Sequence, residues 1–326
     1  MSHDALDKPT AGLRDYLRMA RFDHMTKHVF IIPGLVLACI LRGVRTGNIG
    51  LSMILGLIAA VAIASANYVI NEFLDRESDR FHPTKQARAA VQNEVRGGIV
   101  AIEWLILIAI GLTCAYIQSR AMLAVALVFA SQGVFYNVRP LRTKDKPYFD
   151  VISESINNPL RLTLGWLIVD PTSLPPGSMI IAYWFGGAFL MAAKRLSEYR
   201  QIVASHGIAL LSRYRASFKG YTETTLTASC LCHALLSVAF LSIFLIKYRI
   251  EYILLMPFII ALFVLYFSIS CAPDSTAQKP EQLFIEKELM VLSLVVIIVF
   301  ALTSYYSIPW LGKFAEQHYI EFKYHE

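Results

Sequence analysis

Charge is scarce in this chain. Only 17% of its 326 residues are Asp, Glu, Lys or Arg, where soluble domains carry about a quarter. With 56% hydrophobic residues and a mean hydropathy of +0.51, that shortage argues against a water-soluble fold. Cysteine is scarce as well. Cys39, Cys114, Cys230, Cys232 and Cys271 lie in or beside apolar segments with no zinc-site spacing. Cys230 and Cys232 read as packing residues rather than a redox pair. Low-complexity tracts and a soluble accessory domain are absent. The first 28 residues carry acids, a proline and no early apolar core, unlike a cleavable signal peptide. They read as an interfacial segment at the start of one domain spanning residues 1–326.

Long apolar runs are abundant. A membrane-crossing helix needs about 20 apolar residues. Candidate segments are Val29–Leu41, Leu51–Ile70, Gly98–Ile117, Met122–Tyr136, Phe149–Ile168, Met179–Ala193, Thr224–Ile246, Tyr252–Ser270 and Leu289–Tyr306. The expected fold is therefore an all-α, polytopic membrane protein of about nine transmembrane helices. Net charge is +6, but the basic residues follow the loops and give no reason to expect nucleic acid. Alternate connections are rich in Lys and Arg: Arg14 to Lys27, Arg76 to Arg96, Arg139 to Lys146, Lys194 to Lys219. The positive-inside rule assigns these, with the N-terminus, to the cytoplasm of an inner or plasma membrane.

The second apolar segment runs out into ANYVINEFLDRESDRFHPTK. Asn67, Asn71, Asp75 and Asp79 recur there every four residues. That spacing puts them along one face of a helix. Carboxylates and amide oxygens are hard ligands suited to Mg²⁺, which keeps several waters and bridges to substrate phosphates. Asn71, Asp75 and Asp79 are the candidate metal ligands, and Asn67 a substrate contact. Pro83 ends the helix, and Lys85 and Arg88 follow. Cations beside an acidic face fit a diphosphate leaving group held between metal and lysine or arginine. A plain cytoplasmic loop accounts for Lys85 and Arg88 nearly as well.

The pattern N-E-x-x-D-x-x-x-D followed by H-P-T-K resembles the first aspartate-rich motif of the UbiA superfamily of intramembrane prenyltransferases. Asn71, Asp75 and Asp79 match, and Glu72 replaces the usual Asp. The segment ARFDHMTKHVF is similar to the family's entry segment, with Lys27 at a basic position often found there. The resemblance covers essentially the whole chain. It implies a helical bundle around a central cavity that opens to the cytoplasm and to lipid, a Mg²⁺ cofactor, a diphosphate donor and a lipid substrate.

The second aspartate motif of the family is missing. FLMAAKRLSEYRQ stands in its place, with Lys194, Arg195 and Glu198 where two aspartates are usual. An interfacial salt bridge explains these residues; so does a phosphate clamp. The K-R-x-x-E element resembles the polyprenyl-phosphate phosphoribosyltransferase branch. That branch implies 5-phosphoribosyl diphosphate as donor and a polyprenyl phosphate as acceptor, with Asp75, Asp79, Lys85 and Lys194 as catalytic residues. A lipoquinone-type prenyltransferase and a membrane transporter are the alternatives. The polar fifth segment, FDVISESINNPLRLTLGW, offers Asn158 and Arg161 to the cavity, with Pro159 expected to kink it. An arginine at membrane depth needs an anion, either Glu154 or a substrate phosphate. Tyr136, Arg139 and Arg142, at the end of the preceding segment and in the loop after it, are further candidate contacts to a lipid or donor phosphate, though simple topology signals explain them nearly as well.

Overall fold

The computed structural model describes residues 8–22, 24–273, 275–278, 283 and 285–315, with the side chains of 24–27 and 314–315 outside the description. A short helix α1 (Leu13–Met19) leads through a 3-10 segment (His24–Ile31) to α2 (Ile32–Arg42). Then come α3 (Ile49–Asp79), the single turn α4 (Ala89–Gln92), α5 (Gly97–Gln118) and α6 (Arg120–Asn137). The next helices are α7 (Phe149–Ser155), α8 (Asn157–Val169), α9 (Gly177–His206) and α10 (Ile208–Tyr214). The bundle ends with α11 (Glu223–Tyr248), α12 (Met256–Cys271), α13 (Lys287–Tyr305) and α14 (Pro309–Ala315). Among the described residues there is no strand, only a bridge between Thr10 and Glu94 that pins the N-terminal segment.

Six stretches are long and apolar enough to cross a membrane: Ile49–Asp79, Gly97–Gln118, Gly177–His206, Glu223–Tyr248, Ile250–Cys271 and Lys287–Tyr305. The other three expected spans are helical, but α2 is short, α6 carries buried Gln132 and Asn137, and the fifth span is broken. Among the described residues, length and composition thus mark six of the nine expected segments as crossings. The break falls at Ile156, not at Pro159 where the kink was expected. Pro159 has no N–H for the carbonyl of Ser155, and its ring crowds that residue, so the distortion appears one turn upstream.

Helix α8 lies at the centre. Every residue from Arg161 to Val169 is buried, as a helix apolar on all sides must be. It crosses α2 at backbone contact. A Cβ on Gly34 would lie 1.8 Å from the Leu162 carbonyl oxygen, and one on Gly165 would lie 2.1 Å from that of Ile31. Small residues replace the hydrophobic effect as the device that brings helices together in lipid. Helices α3 and α9 have 31 and 30 residues, about 45 Å each, against a hydrocarbon core of about 30 Å. Their C-terminal turns project beyond the apolar layer, and His82 Nε2, just after α3, lies 3.4 Å from Glu198 Oε1 on α9. The candidate carboxylates Asp75 and Asp79 and the K-R-x-x-E element occupy this shared overhang.

The opposite end is tied by Asp170. Its fully buried carboxylate accepts from Arg42 Nε (2.9 Å), from Thr172 N (3.0 Å) and Oγ1 (2.5 Å), and from Ser173 Oγ (2.6 Å). Burial pushes the carboxyl upward, but the bonds from Ser173, Thr172 and Arg42 outweigh it and hold it below the usual carboxylate range. Its contribution to stability is complete above the ordinary Asp value and is lost as pH falls through the lower folded-state value. Asp170→Ala is expected to cost about 2–3 kcal/mol at neutral pH, the loss of hydrogen bonds to a charged group. Thermal melts in detergent check this: the gap between wild type and variant should close in strong acid, and a gap that widened there would contradict the assignment.

Candidate active site

The four-residue row on α3 does not stay on one line. An i,i+4 series drifts by about 40° per step on a 3.6-residue helix, so from Asn67 to Asp79 the row winds across two sets of neighbours. Asn67 Nδ2 donates to the Phe129 carbonyl (3.1 Å) and abuts Gly133, where any Cβ would overlap it. Asn71 Nδ2 donates to Asn137 Oδ1 (2.7 Å). Asp75 meets the loop after α6: Arg142 Nη2 lies 2.9 Å and Lys144 Nζ 2.5 Å from its Oδ1. Asp79 meets the loop after α3 instead, paired with Arg88 and 3.9 Å from Lys85 Nζ. Glu72, which replaces the family's usual Asp, is spent elsewhere. It pairs with Arg21 at 2.9 Å and accepts from the Ala90 N–H.

Among the described residues, no three His, Cys, Asp or Glu side chains converge on a point where they could share a metal ion. The donor set of Asn71, Asp75 and Asp79 therefore does not fit a cation caged by protein alone. It fits Mg²⁺, which is commonly held by one or two carboxylates and completes its shell with water and phosphate.

The loop Val138–Tyr148 was underestimated by the sequence reading. Arg139 is exposed and lines a shallow groove with Leu74, Glu77, Ser78 and Arg142. Arg142, a candidate alongside Arg139, and Lys144, which the sequence did not single out, both pair with Asp75. Arg142 adopts a left-handed backbone (φ 27°), uncommon for a non-glycine residue. Its side chain grips Asp145 (2.8 Å), the Asn137 carbonyl (3.1 Å) and Asp75. A buried aspartate needing counter-charge beside a basic loop was the signal available in the sequence.

The K-R-x-x-E element is built differently from a simple clamp. Arg195 is 2% exposed and is bonded by three carboxylates: Asp150 at 3.1 Å, Glu154 at 3.2 Å and Glu198 at 3.4 Å. Glu198 also accepts from Tyr214 (3.2 Å). The Thr84 N–H donates to His82 Nδ1 (3.2 Å), which leaves Nε2 as the protonated nitrogen facing Glu198; burial holds this imidazole below its usual pKa. Glu154 also accepts from the Tyr136 hydroxyl (2.7 Å), so it is not the expected partner of Arg161. Lys194 lies within electrostatic reach of Glu154. The side chain of Lys27 lies outside the described residues.

Arg215, between α10 and the segment Ala216–Gly220, was not singled out from the sequence. It is within electrostatic reach of Asp75, Lys85, Lys144 and Glu198. Its nearest acid is Asp150, at 3.9 Å, and its Nε is buried without a hydrogen bond. Burial, with the charges of Arg215 and Arg88, pushes Lys85 down to about 7 against the pull of Glu198 and Asp79. Burial likewise pushes Lys144 down to about 8, against the pull of Asp75. An oxyanion placed among Lys85, Lys144 and Arg215 would stabilise all three charges. Lys85 and Lys144 thus stand beside Asp79 and Asp75, with Arg215 within electrostatic reach of both lysines.

Beside this polar end lies a cavity of ≈ 380 Å³ between α8, α9, α11 and α12, lined by apolar side chains including Phe30, Leu190, Leu241 and Phe263, with Asn158 on its wall.

A family model described as "UbiA prenyltransferase family" matches residues 30–295. Decaprenyl-phosphate phosphoribosyltransferase from Mycobacterium tuberculosis is 26% identical over 253 residues, covering 72% of this chain and 78% of that protein. An uncharacterized protein, y4nM, from Sinorhizobium fredii is 29% identical over 158 residues, 48% of this chain. The chain spans only 29% of that protein's length. Among solved structures, a UbiA homolog from Archaeoglobus fulgidus bound to GPP and Mg²⁺ superposes with a TM-score of 0.66 at 21% identity, covering 89% of this chain and 99% of that one. The same homolog bound to DMAPP and Mg²⁺ gives 0.66 at 20% identity, covering 90% and 100%.

Proposed function

The chain belongs to the UbiA prenyltransferase family, and we propose that this integral membrane transferase moves a 5-phosphoribosyl group from phosphoribosyl diphosphate to a polyprenyl phosphate. The observation that carries this reading is the second half of the site. Where the family pattern has a second pair of metal-binding aspartates, this chain has Lys194, Arg195 and Glu198, and Arg215 has its Nε buried without a hydrogen bond and its nearest acid, Asp150, at 3.9 Å. A donor with an additional phosphate suits such a pocket better than a prenyl diphosphate does. The 26% identity to a decaprenyl-phosphate phosphoribosyltransferase points the same way. Charge asymmetry among the loops supports a cytoplasmic site, and the whole chain reads as one domain.

Asn71, Asp75 and Asp79 would hold Mg²⁺, which when bound supplies Lewis-acid neutralisation of the diphosphate. Lys85 and Arg88, already at Asp79, are placed to pair with the departing diphosphate oxygens. Arg142 and Lys144 do the same from the Asp75 side. Lys194 and Arg215 take the sugar's 5-phosphate. An ionised oxygen of the lipid phosphate forms the new bond to ribose C1, and the bond from C1 to the diphosphate oxygen breaks. The electron pair leaves with diphosphate. The nucleophile is already ionised, so the step needs no protein base. The apolar cavity accommodates part of the lipid chain.

Purified protein given Mg²⁺, labelled phosphoribosyl diphosphate and polyprenyl phosphate should form a labelled lipid and release diphosphate. Consumption of prenyl diphosphate with an aromatic acceptor, and no labelled lipid from the sugar donor, would replace this reading with that of a lipoquinone-type prenyltransferase. The solved A. fulgidus complexes with GPP and DMAPP give that second reading its structural precedent.

A further inference from the structure

Arg161 is the unexplained cation of the bundle. It lies on the central helix α8, is 6% exposed, and its Nε is buried without a hydrogen bond. Its observed contact is with the face of the Phe129 ring, 5.3 Å from the guanidinium carbon. Glu154, the acid nearest in sequence, is taken by Arg195 and Tyr136. No ion pair to Arg161 exists among the described residues. A lone arginine at membrane depth is costly and persists where it meets an anion.

Its surroundings point the same way. Phe129 also supplies the carbonyl that Asn67 bonds, so Asn67 and Arg161 flank the same residue. The Oδ1 atoms of Asn67 and Asn157 are both buried without partners. Asn67 on α3 and Asn157 on α8 thus each keep a buried acceptor unsatisfied. On α8, Asn158 precedes Arg161 by three residues, one turn, and opens onto the apolar cavity. Tyr183, on the wall of that cavity, is within electrostatic reach of Arg161. A cation beside an apolar cavity matches a molecule with an anionic head and a hydrocarbon tail.

We propose that Arg161 binds the phosphate of the lipid acceptor while the acceptor's chain enters the cavity lined by Phe30, Tyr183, Leu190, Leu241 and Phe263. This inference rests on the reading of the acceptor given above, but not on the identity of the donor. It assigns a second anion site, at Arg161, for the acceptor phosphate, whose oxygen reaches the ribose C1 of the donor held at the overhang.

Farnesyl phosphate and farnesol are the probes, titrated against the full chain in detergent. Wild type should bind the phosphate about tenfold or more tightly than the alcohol, the effect of charged hydrogen bonds. Arg161→Met should erase that preference while leaving the affinity for pyrophosphate with Mg²⁺ within about twofold, and Arg161→Lys should recover part of it. Because the arginine is unpaired, Arg161→Met should melt at or above the wild-type temperature. A melting temperature well below wild type for Arg161→Met, with the preference for the phosphate retained, would assign a structural role instead. No preference in wild type, or a loss confined to an aromatic acid such as 4-hydroxybenzoate, would overturn the lipid-phosphate assignment. Turnover of phosphoribosyl diphosphate is scored separately, so failure of the donor reading remains distinct from failure of this one.

Discussion

Asp75→Asn is expected to lower turnover by about a hundred- to a thousandfold with little change in folding. The magnitude is that of removing one preorganised electrostatic group from a desolvated site. Asp75 is the carboxylate shared by Arg142 and Lys144, and it is the middle member of the Asn71, Asp75, Asp79 set. The amide keeps the size and one acceptor oxygen but removes the charge a divalent cation requires. The fold should tolerate the change because Arg142 retains Asp145 and the Asn137 carbonyl, and Lys144 retains Asn137 Oδ1. Lys144, already pushed to about 8 by burial, can shed its proton once its counter-charge is gone. Steady-state turnover and a melting curve test this together. A variant within about threefold of wild-type activity removes Asp75 from the mechanism.

Arg195→Ala is expected to destabilise the chain by about 3–5 kcal/mol, the cost of breaking a buried ion-pair network from one side. Asp150, Glu154 and Glu198 would then share a buried space without the guanidinium that bonds all of them. The mutation should therefore show as a lower melting temperature and a lower yield. Lys194→Ala, one residue earlier, should melt close to wild type. If Arg195 were chiefly a phosphate clamp, its loss would raise the donor KM and leave the melting temperature unchanged, and that result would refute the structural role. Asp150 reinforces the expectation, since it also accepts from Ser217 (3.1 Å) and Tyr221 (2.6 Å). The network thereby joins α7, α9 and the segment after α10.

These expectations divide along the line between local and non-local information. The row from Asn67 to Asp79 was legible because helical periodicity is a property of one segment. The partners of that row were not. Helical winding of about 40° per four-residue step turns Asp75 toward Arg142 and Lys144 and Asp79 toward Arg88 and Lys85. Which cations those would be depended on two loops folding back over the same helix end. Arg139 and Arg142 are three residues apart and line the same groove, yet Arg142 reaches Asp75 while Arg139 is exposed. Nothing in their local sequence separates them. Arg195 looked like a free cation because two of its carboxylates, Asp150 and Glu154, come from a helix more than forty residues earlier.

Composition, the lengths of apolar runs and the first acidic motif determined by themselves that this is a helical membrane protein with an oxygen-ligand face where its second long helix leaves the apolar layer. Burial of apolar side chains in lipid and the 3.6-residue period suffice for that. Only the tertiary structure decided which charges neutralise one another and which remain unspent. A charge buried in a low-dielectric interior is governed by whatever lies within a few ångströms of it, and those neighbours come from distant parts of the chain. That is why Arg195, prominent in the sequence, is satisfied by three acids. It is also why Arg161, which the sequence could only mark as an arginine in need of an anion, and Arg215, one of thirty lysines and arginines, each keep a buried Nε without a hydrogen bond.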